Sequence, residues 1–255
     1  MIPCFNPPQE ALHEKVRYSA LLLLSLFLFV SPFPHTQTLG EICFYSAFLI
    51  FVYFSFRLGV RFEKYDVWTA LLLFGGWCII SSALALDPSA SFADFYSHFI
   101  KYLILTVMLV GFFGSRQGAI LLAWVIVISG VIFSLVIMGY FYGMLGHDLS
   151  IRLGAGLARW PINPMGFVML FSLALVPPLY LHAGQRSPMR ILLVLMAVVL
   201  VTAAILTQSK GTLIGLVLVL SVSFFRNKRL LAVALLLIIV FAVSFTPIVK
   251  RFADG

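Results

Sequence analysis

Long apolar runs without alternation dominate the sequence, and they restrict its fold more than any other feature. Of the 255 residues, 62% are hydrophobic and only 10% are charged. A soluble domain carries roughly 25% charged residues, so this composition excludes a water-facing globular fold. In lipid, backbone amides must bond within a helix or a closed barrel, and barrel strands alternate apolar with polar residues. The sequence therefore predicts an all-α integral membrane protein.

Breaks between the runs divide the chain into nine candidate transmembrane segments, each near the ~20 residues that cross the hydrocarbon. The first run follows basic residues like a signal peptide, but the Ser31-Pro32-Phe33-Pro34 break has no small-residue cleavage site, so we interpret it as an uncleaved span. We expect one polytopic membrane domain over 1–255, with an outer loop at 143–164 and a polar interruption at 207–212. The predicted segments are 17–34, 39–56, 67–86, 97–113, 119–143, 164–183, 190–207, 210–225 and 230–249.

The distribution of basic residues predicts the orientation, because cytoplasmic connections carry an excess of Lys and Arg. With the N-terminus in the cytoplasm, eleven of the 17 Lys and Arg lie inside, and the connections 31–39 and 87–98 contain none. The net charge of +8 then requires no nucleic-acid partner. The eleven are Lys15, Arg17, Arg57, Arg61, Lys64, Arg116, Arg186, Arg190, Arg226, Lys228 and Arg229.

Six basic residues lie at the outer side in this topology and oppose the rule that sets it. They are Lys101, Arg152, Arg159, Lys210, Lys250 and Arg251. Arg152 and Arg159 belong to the outer loop, and a guanidinium offers paired donors for phosphate oxygens. Either arginine alone could instead extend to lipid headgroups. Together with Lys210, they favour a site for an anionic substrate.

Lys210 follows Thr207, Gln208 and Ser209 between two strongly apolar runs. Polar side chains at membrane depth are costly unless they face a protein-lined or water-filled space. The alternative is a tight turn, which would suit Ser209 and Gly211 but does not need a lysine. Lys101 lies inside another apolar stretch, where it either extends to the interface or supports the site.

Three histidines lie on the predicted outer side: His35, His98 and His147. A histidine beside a carboxylate can act as a base, and Asp94 and Asp148 lie near two of them. His147 and His98 are thus candidate bases, and solvated loops are the alternative. The sequence contains no Walker A loop, metal-ligand cluster or GxSxG element, which argues against ATP-driven, metal-dependent and serine-hydrolase chemistry. We expect neither a metal nor a cofactor.

The second half of the chain, from about Tyr140, resembles the O-antigen ligase family, which shares its membrane domain with O-antigen polymerases of the Wzy type. Residues 205–212, ILTQSKGT, are similar to the family's apolar-Thr-x-Ser-Arg-Gly element, with Lys210 at the arginine position. Arg152-Leu153-Gly154 followed by Asn163-Pro164 is similar to its Arg, Gly, Asn-Pro order. The first half matches only in hydropathy.

The resemblance implies a metal-independent, inverting glycosyltransferase of the GT-C-like membrane class. Its donor would be a glycan on undecaprenyl diphosphate and its acceptor lipid A-core, at the periplasmic face of the bacterial inner membrane. Arg152, Arg159 and Lys210 would bind the diphosphate, with Lys101, Gln208, Ser209 and Asn163 as supporting residues. Because lysine lacks the planar fork of arginine, Lys210 would supply charge without bidentate geometry.

Members of the family continue into a periplasmic loop with a functional histidine and a further arginine, whereas this sequence stops at Gly255. The resemblance therefore implies a truncated member, and we expect this chain alone to complete no transfer. Two other functions stay open. An O-antigen polymerase uses the same donor with another acceptor, and a transporter of an anionic substrate also needs basic residues at membrane depth.

Overall fold

Helices form where the sequence is continuously apolar, as expected for a backbone that must satisfy its own hydrogen bonds. The computed structural model describes residues 10–58, 66–157, 161–184 and 187–224, and within these ranges the regular structure is entirely helical. The α-helices are α1 Glu10–Val30, α2 Gln37–Leu58, α3 Asp66–Ala83, α4 Pro88–Asp94, α5 Lys101–Phe113, α6 Arg116–Met138, α7 Ile162–His182, α8 Ser187–Leu206 and α9 Lys210–Phe224.

The first eight predicted segments each coincide with a helix, and the ninth, 230–249, lies outside the described residues. The fourth predicted segment, 97–113, corresponds to α5, but helical structure already begins before it. The additional helix α4 starts at Pro88, because the Asp87 carboxylate accepts the backbone N–H of Ala90 at 3.1 Å and proline suits the first helical position. A π-helical segment, Phe95–Ile100, joins α4 to α5, so the predicted connection 87–98 is largely helical.

The boundaries around the outer loop and the polar interruption also differ from the predicted ones. A second π-helical segment, Gly139–Met144, extends α6, so the connection to α7 begins at residue 145 and ends before Ile162. The interruption between α8 and α9 covers only residues 207–209, because Lys210 already starts α9. We call residues 207–209 the α8–α9 break.

Three helices of the described part are long and apolar enough to cross a membrane: Arg116–Met144, Ile162–His182 and Pro188–Leu206. Four shorter apolar helices accompany them: Tyr18–Val30, Leu71–Ala83, Lys101–Phe113 and Lys210–Ser221. Large apolar side chains are exposed along many of these helices, for example Leu73, Phe74 and Trp77. The protein is therefore an all-α membrane protein, while the nine-span arrangement remains a prediction.

The described chain divides into two compact units. The first comprises the residues up to Leu26 and Glu41–Ala119, and the second comprises Phe27–Gly40 and the residues from Ile120. In the first unit, aromatic rings connect the helices: Phe51 meets Phe112 edge-on at 5.9 Å between centroids, and Phe74 lies 5.9 Å from Phe99. Such aromatic pairs add to the packing of lipid-embedded helices.

Small residues set the close helix packing of the second unit. A Cβ added at Gly130 of α6 would lie 2.6 Å from the Ser172 Cβ of α7, and one at Gly166 of α7 would lie 2.0 Å from the Thr212 Oγ1 of α9. Small residues allow this approach, which is the usual basis of helix association in membranes. A Cβ added at Gly215 of α9 would lie 2.5 Å from the Leu170 Cδ1, one turn further along α7, so α7 and α9 run parallel.

Candidate functional site

The α8–α9 break is a tight, internally bonded turn. The Thr207 hydroxyl donates to the Ala204 carbonyl at 2.7 Å, and the Gln208 N–H donates to the Ile205 carbonyl at 2.9 Å. Gln208 has a φ of 47°, a left-handed conformation that costs an L-residue about 1–2 kcal/mol. Thr207 and Ser209 are buried, while Gln208 is half-buried. The segment therefore has the geometry of a tight turn, and it lies between the ends of two apolar helices.

The loop between α6 and α7 packs directly against this break. Leu153 is fully buried among apolar side chains of α6, α7 and α8, and its N–H donates to the Leu206 carbonyl at 2.8 Å. The preceding residue, Arg152, is half-buried and donates from Nε to the Thr207 carbonyl at 3.1 Å. Burial of Leu153 thus fixes the backbone that carries the Arg152 guanidinium.

Two further hydrogen bonds hold the same stretch of loop. The Gln208 side-chain amide donates to the Ser150 carbonyl at 3.2 Å, and the Tyr142 hydroxyl donates to the Ile151 carbonyl at 2.9 Å. Gln208 approaches from the α8–α9 break and Tyr142 from the π-helical end of α6. The loop is therefore held from two sides immediately before Arg152.

The N-terminal ends of α7 and α9 lie side by side at this site. The Ser209 hydroxyl is 3.3 Å from the Asn163 side-chain oxygen, and one turn inside, Gly166 and Thr212 are in contact. Pro161 precedes α7 without a side-chain cap. Each helix N-terminus carries first-turn N–H groups without intrahelical partners and a partial positive charge, although Pro164 removes one such donor from α7, so two parallel ends together favour an anion.

Lys210 is the first residue of α9, and it is exposed. A cation at a helix N-terminus is opposed by the helix dipole, so its placement favours a nearby negative charge. Lys210 follows Thr207, which bonds Arg152, by three residues. The positive groups of this region therefore belong to one end of the second unit.

The structure brings together four of the predicted site residues through direct or shared contacts: Arg152, Gln208, Ser209 and Asn163. Lys210 adjoins them in the chain. Arg159 lies outside the described residues.

Lys101 belongs to the first unit, where it forms an ion pair with Glu41 of α2. Its amine also lies 5.3 Å from the centroid of the Phe44 ring. The lysine and the glutamate are partly buried. This carboxylate accounts for a cation inside an apolar stretch, and it gives Lys101 a structural role that the sequence analysis did not consider.

The two candidate bases differ in what the structure describes. His147 is half-buried, and its ring packs against Phe141 with 4.4 Å between centroids. The neighbouring Asp148 is exposed, and its backbone carbonyl accepts from Ile151 N–H at 2.9 Å. No hydrogen bond to the His147 ring occurs within the described part of the chain. His98 lies in the π-helical segment Phe95–Ile100, and its side chain is outside the described part.

Two residues that hold the site escaped the sequence analysis. Tyr142 is one of nine tyrosines, and nothing in its neighbourhood distinguishes it as a hydrogen-bond donor to the loop. Leu153 is an apolar residue inside a Gly-rich loop. An apolar side chain in such a loop was the one sequence feature that could have indicated an anchored loop.

Across residues 10–58, 66–157, 161–184 and 187–224, no group of three or more His, Cys, Asp or Glu side chains is placed to bind a metal ion. No known protein family, curated protein sequence or solved structure matches the chain.

Proposed function

We propose that the chain is a membrane-embedded glycosyltransferase of the O-antigen ligase type. It moves a glycan from undecaprenyl diphosphate to lipid A-core at the periplasmic face of the bacterial inner membrane. The observation that carries the proposal is the fixed position of Arg152, which bonds the α8–α9 break beside the start of α9 and the Asn163 end of α7.

The charge at this position supports a diphosphate ligand. The Arg152 Nε donates to the carbonyl of Thr207. This acceptor is neutral, so it does not neutralise the positive charge of the guanidinium. No other hydrogen bond to Arg152 occurs among the described residues, which leaves the two terminal amino groups for phosphate oxygens. Lys101 is the useful contrast, because Glu41 neutralises it.

The proposed reaction needs the positive charge most at the leaving group. The acceptor hydroxyl oxygen forms a bond to the anomeric carbon, while the bond from that carbon to the diphosphate oxygen breaks and leaves its electron pair on the diphosphate. Arg152, Lys210 and the two helix N-termini stabilise that charge as it develops. The hydroxyl proton passes to a general base, for which His147 and His98 are the candidates.

We further propose nine spans with Met1 in the cytoplasm, which puts the α8–α9 break and the loop 145–161 on the periplasmic side. This orientation follows from the eleven basic residues assigned to the inside. It suits a donor whose diphosphate lies at the outer membrane surface.

The first test is binding of undecaprenyl diphosphate to the purified protein, because binding does not require the acceptor or the base. We compare Arg152→Ala, Lys210→Ala and Lys210→Arg with the unchanged chain. Loss of one charge-assisted contact should weaken binding about tenfold, and Lys210→Arg should retain it. Arg116→Gln is the matched control, because Arg116 is exposed at the start of α6 and predicted to face the cytoplasm. Equal affinity for all four proteins would contradict the proposed site.

The second test separates the activities by expression in two bacterial strains. Glycan on lipid A-core in a ligase-deficient strain supports the ligase and would contradict the expectation that this chain alone completes no transfer. Longer glycan chains in a polymerase-deficient strain indicate a polymerase. Uptake of an anionic substrate without covalent transfer would contradict both and indicate a transporter. Where transfer occurs, Lys210→Ala should lower its rate about 10²-fold, as removal of one transition-state donor typically does.

A further inference from the structure

Arg190 and Tyr180 form a second cationic position at the opposite end of α8. Arg190 lies in the first turn of α8, and its guanidinium carbon is 5.0 Å from the centroid of the Tyr180 ring in the last turns of α7. At 1.5 Å per residue, about 24 Å of helix separates Arg190 from Leu206 at the α8–α9 break. This pair is therefore remote from the candidate diphosphate site.

The Arg190 guanidinium lacks an acceptor within the described part of the structure. Its Nε is buried and is the one buried side-chain nitrogen or oxygen there without a hydrogen-bond partner. Since the terminal amino groups are not buried and make no hydrogen bond to the described residues, they are open to a ligand. The Tyr180 hydroxyl is likewise not buried and makes no hydrogen bond to the described residues. A cation this close to hydrocarbon is expensive unless it is paired.

The immediate chain neighbours of the pair include exposed apolar side chains. Leu181, which follows Tyr180, is 72% exposed, and Ile191, which follows Arg190, is 58% exposed. Met189 on the other side of Arg190 is also exposed. In a membrane protein these side chains meet acyl chains, so any ligand of Arg190 is bordered by lipid.

We propose that Arg190 and Tyr180 bind the phosphate of an anionic phospholipid headgroup. The terminal amino groups of Arg190 donate to the phosphate oxygens, the Tyr180 hydroxyl is a further donor, and the acyl chains cover Leu181, Met189 and Ile191. The Tyr180 ring holds the guanidinium in place by a cation–π contact, which reduces the side-chain entropy lost on binding. Because α8 begins at this position, its dipole disfavours the unpaired cation and favours the phosphate.

Free phosphate could accept hydrogen bonds from the same donors, but it would not contact the neighbouring apolar side chains. A dissolved anion would gain nothing from Leu181 and Ile191, whereas a phospholipid covers both while its phosphate contacts Arg190. The observations therefore favour the lipid over the free ion, and a competition experiment distinguishes the two.

The test is native mass spectrometry of the purified full chain in detergent, titrated with dioleoyl phosphatidylglycerol or dioleoyl phosphatidylcholine. We expect a tight phosphatidylglycerol site whose affinity falls about tenfold in Arg190→Gln. Tyr180→Leu should show a smaller loss, Tyr180→Phe should keep most of the affinity, and Arg190→Lys should be intermediate because lysine stacks less well. Inorganic phosphate at millimolar concentration should not displace the lipid.

Arg116→Gln is the matched control, because it removes one exposed helix-start arginine that has no ring contact in the described chain. An equal loss in Arg116→Gln and Arg190→Gln would overturn the proposal, since it would indicate net charge alone. Equal affinity for phosphatidylcholine and phosphatidylglycerol would overturn the proposal as well. So would displacement of the lipid by free phosphate. Circular dichroism confirms folding, and if Arg190→Gln unfolds, the comparison of Tyr180→Leu with Tyr180→Phe decides.

Discussion

At the scale of single residues, the candidate site is held by neutral backbone acceptors. Arg152 donates to the Thr207 carbonyl, Gln208 to the Ser150 carbonyl and Tyr142 to the Ile151 carbonyl. A neutral acceptor fixes a side chain without cancelling its charge. Arg152 is thereby placed with its positive charge intact, as the proposed diphosphate ligand would require.

Tyr142→Phe should loosen the loop without disturbing the helix bundle. The change removes one hydrogen bond, worth about 1 kcal/mol, while the ring stays in place. Amide hydrogen exchange of residues 150–153 should accelerate about fivefold at that energy. Binding of undecaprenyl diphosphate should weaken in parallel, because Arg152 follows Ile151 directly.

Tyr102→Phe is the control for this change, because Tyr102 is exposed on α5 and its hydroxyl makes no hydrogen bond to the described residues. Unchanged exchange in Tyr142→Phe would show that Gln208 and Leu153 hold the loop without the tyrosine.

Asp87 shows how one cap shifts a helix boundary and a pKa together. The Ala90 N–H and then the Ser89 hydroxyl bond its carboxylate and lower the pKa of Asp87. A carboxyl with a lower pKa in the folded state stabilises the fold above its unfolded pKa of about 3.9, and the effect is lost as pH falls through the folded value. NMR titration of the Ala90 amide should therefore report a midpoint below 3.9.

Ser89→Ala should raise this midpoint toward the ordinary aspartate value, because it removes the second hydrogen bond. In Asp87→Asn the Ala90 amide should not titrate, since the amide side chain can still cap the helix but carries no proton equilibrium in this range. A midpoint above 3.9 in the unchanged chain would contradict the cap.

At the scale of helices, the second unit depends on backbone contact at glycines. Ser172 of α7 donates to the Ile126 carbonyl of α6 at 3.2 Å and occupies the space that a side chain at Gly130 would need. The missing side chain at Gly166 likewise allows α7 to pack closely against α9. This close packing places the N-terminal ends of the two helices side by side.

Gly130→Ala should destabilise the bundle by about 1–3 kcal/mol, the usual cost of overpacking. The new Cβ would lie 2.6 Å from the Ser172 Cβ, which rotation of the serine cannot relieve, so α6 and α7 must separate. The measurement is the midpoint of thermal unfolding in detergent. Gly139→Ala is the control, because a Cβ there meets nothing within 4 Å. A midpoint equal to that of Gly139→Ala would contradict close packing at Gly130.

At the scale of the whole molecule, the topology decides which side of the membrane the candidate site faces. Basic residues on the outer side indicate an anionic ligand only if the assigned orientation is correct. Arg152 and Lys210 are exceptions to the rule with Met1 in the cytoplasm, and they would follow it in the opposite orientation.

Cysteine labelling of intact cells tests this directly. In a chain without its three native cysteines, a membrane-impermeant thiol reagent should modify a cysteine at position 89 and spare one at position 227. Position 227 lies in the basic segment 226–229, which the positive-inside rule assigns to the cytoplasm. The reverse labelling pattern would invert the topology and rule out a periplasmic site.

The sequence by itself determined that this is a helical membrane protein and located most of its helices. Apolar runs and the need to satisfy backbone amides in lipid are local properties of the chain, so they can be found without the fold. The same reasoning selected Arg152 and Lys210, because a cation among apolar residues is unusual wherever the chain goes. It did not predict the short helix that begins at Pro88, because the Asp87 cap was not considered.

Only the tertiary structure decided which polar residues meet. Lys101 and Arg152 are equally unusual in the sequence, yet one pairs with Glu41, sixty residues away, and the other with the backbone of Thr207. The parallel ends of α7 and α9, the buried Leu153 and the hydroxyl of Tyr142 also depend on contacts between distant segments. Such contacts depend on helix packing at glycines such as Gly166, where the absence of a side chain lets two backbones approach. No local sequence pattern specifies which helix packs at a given glycine.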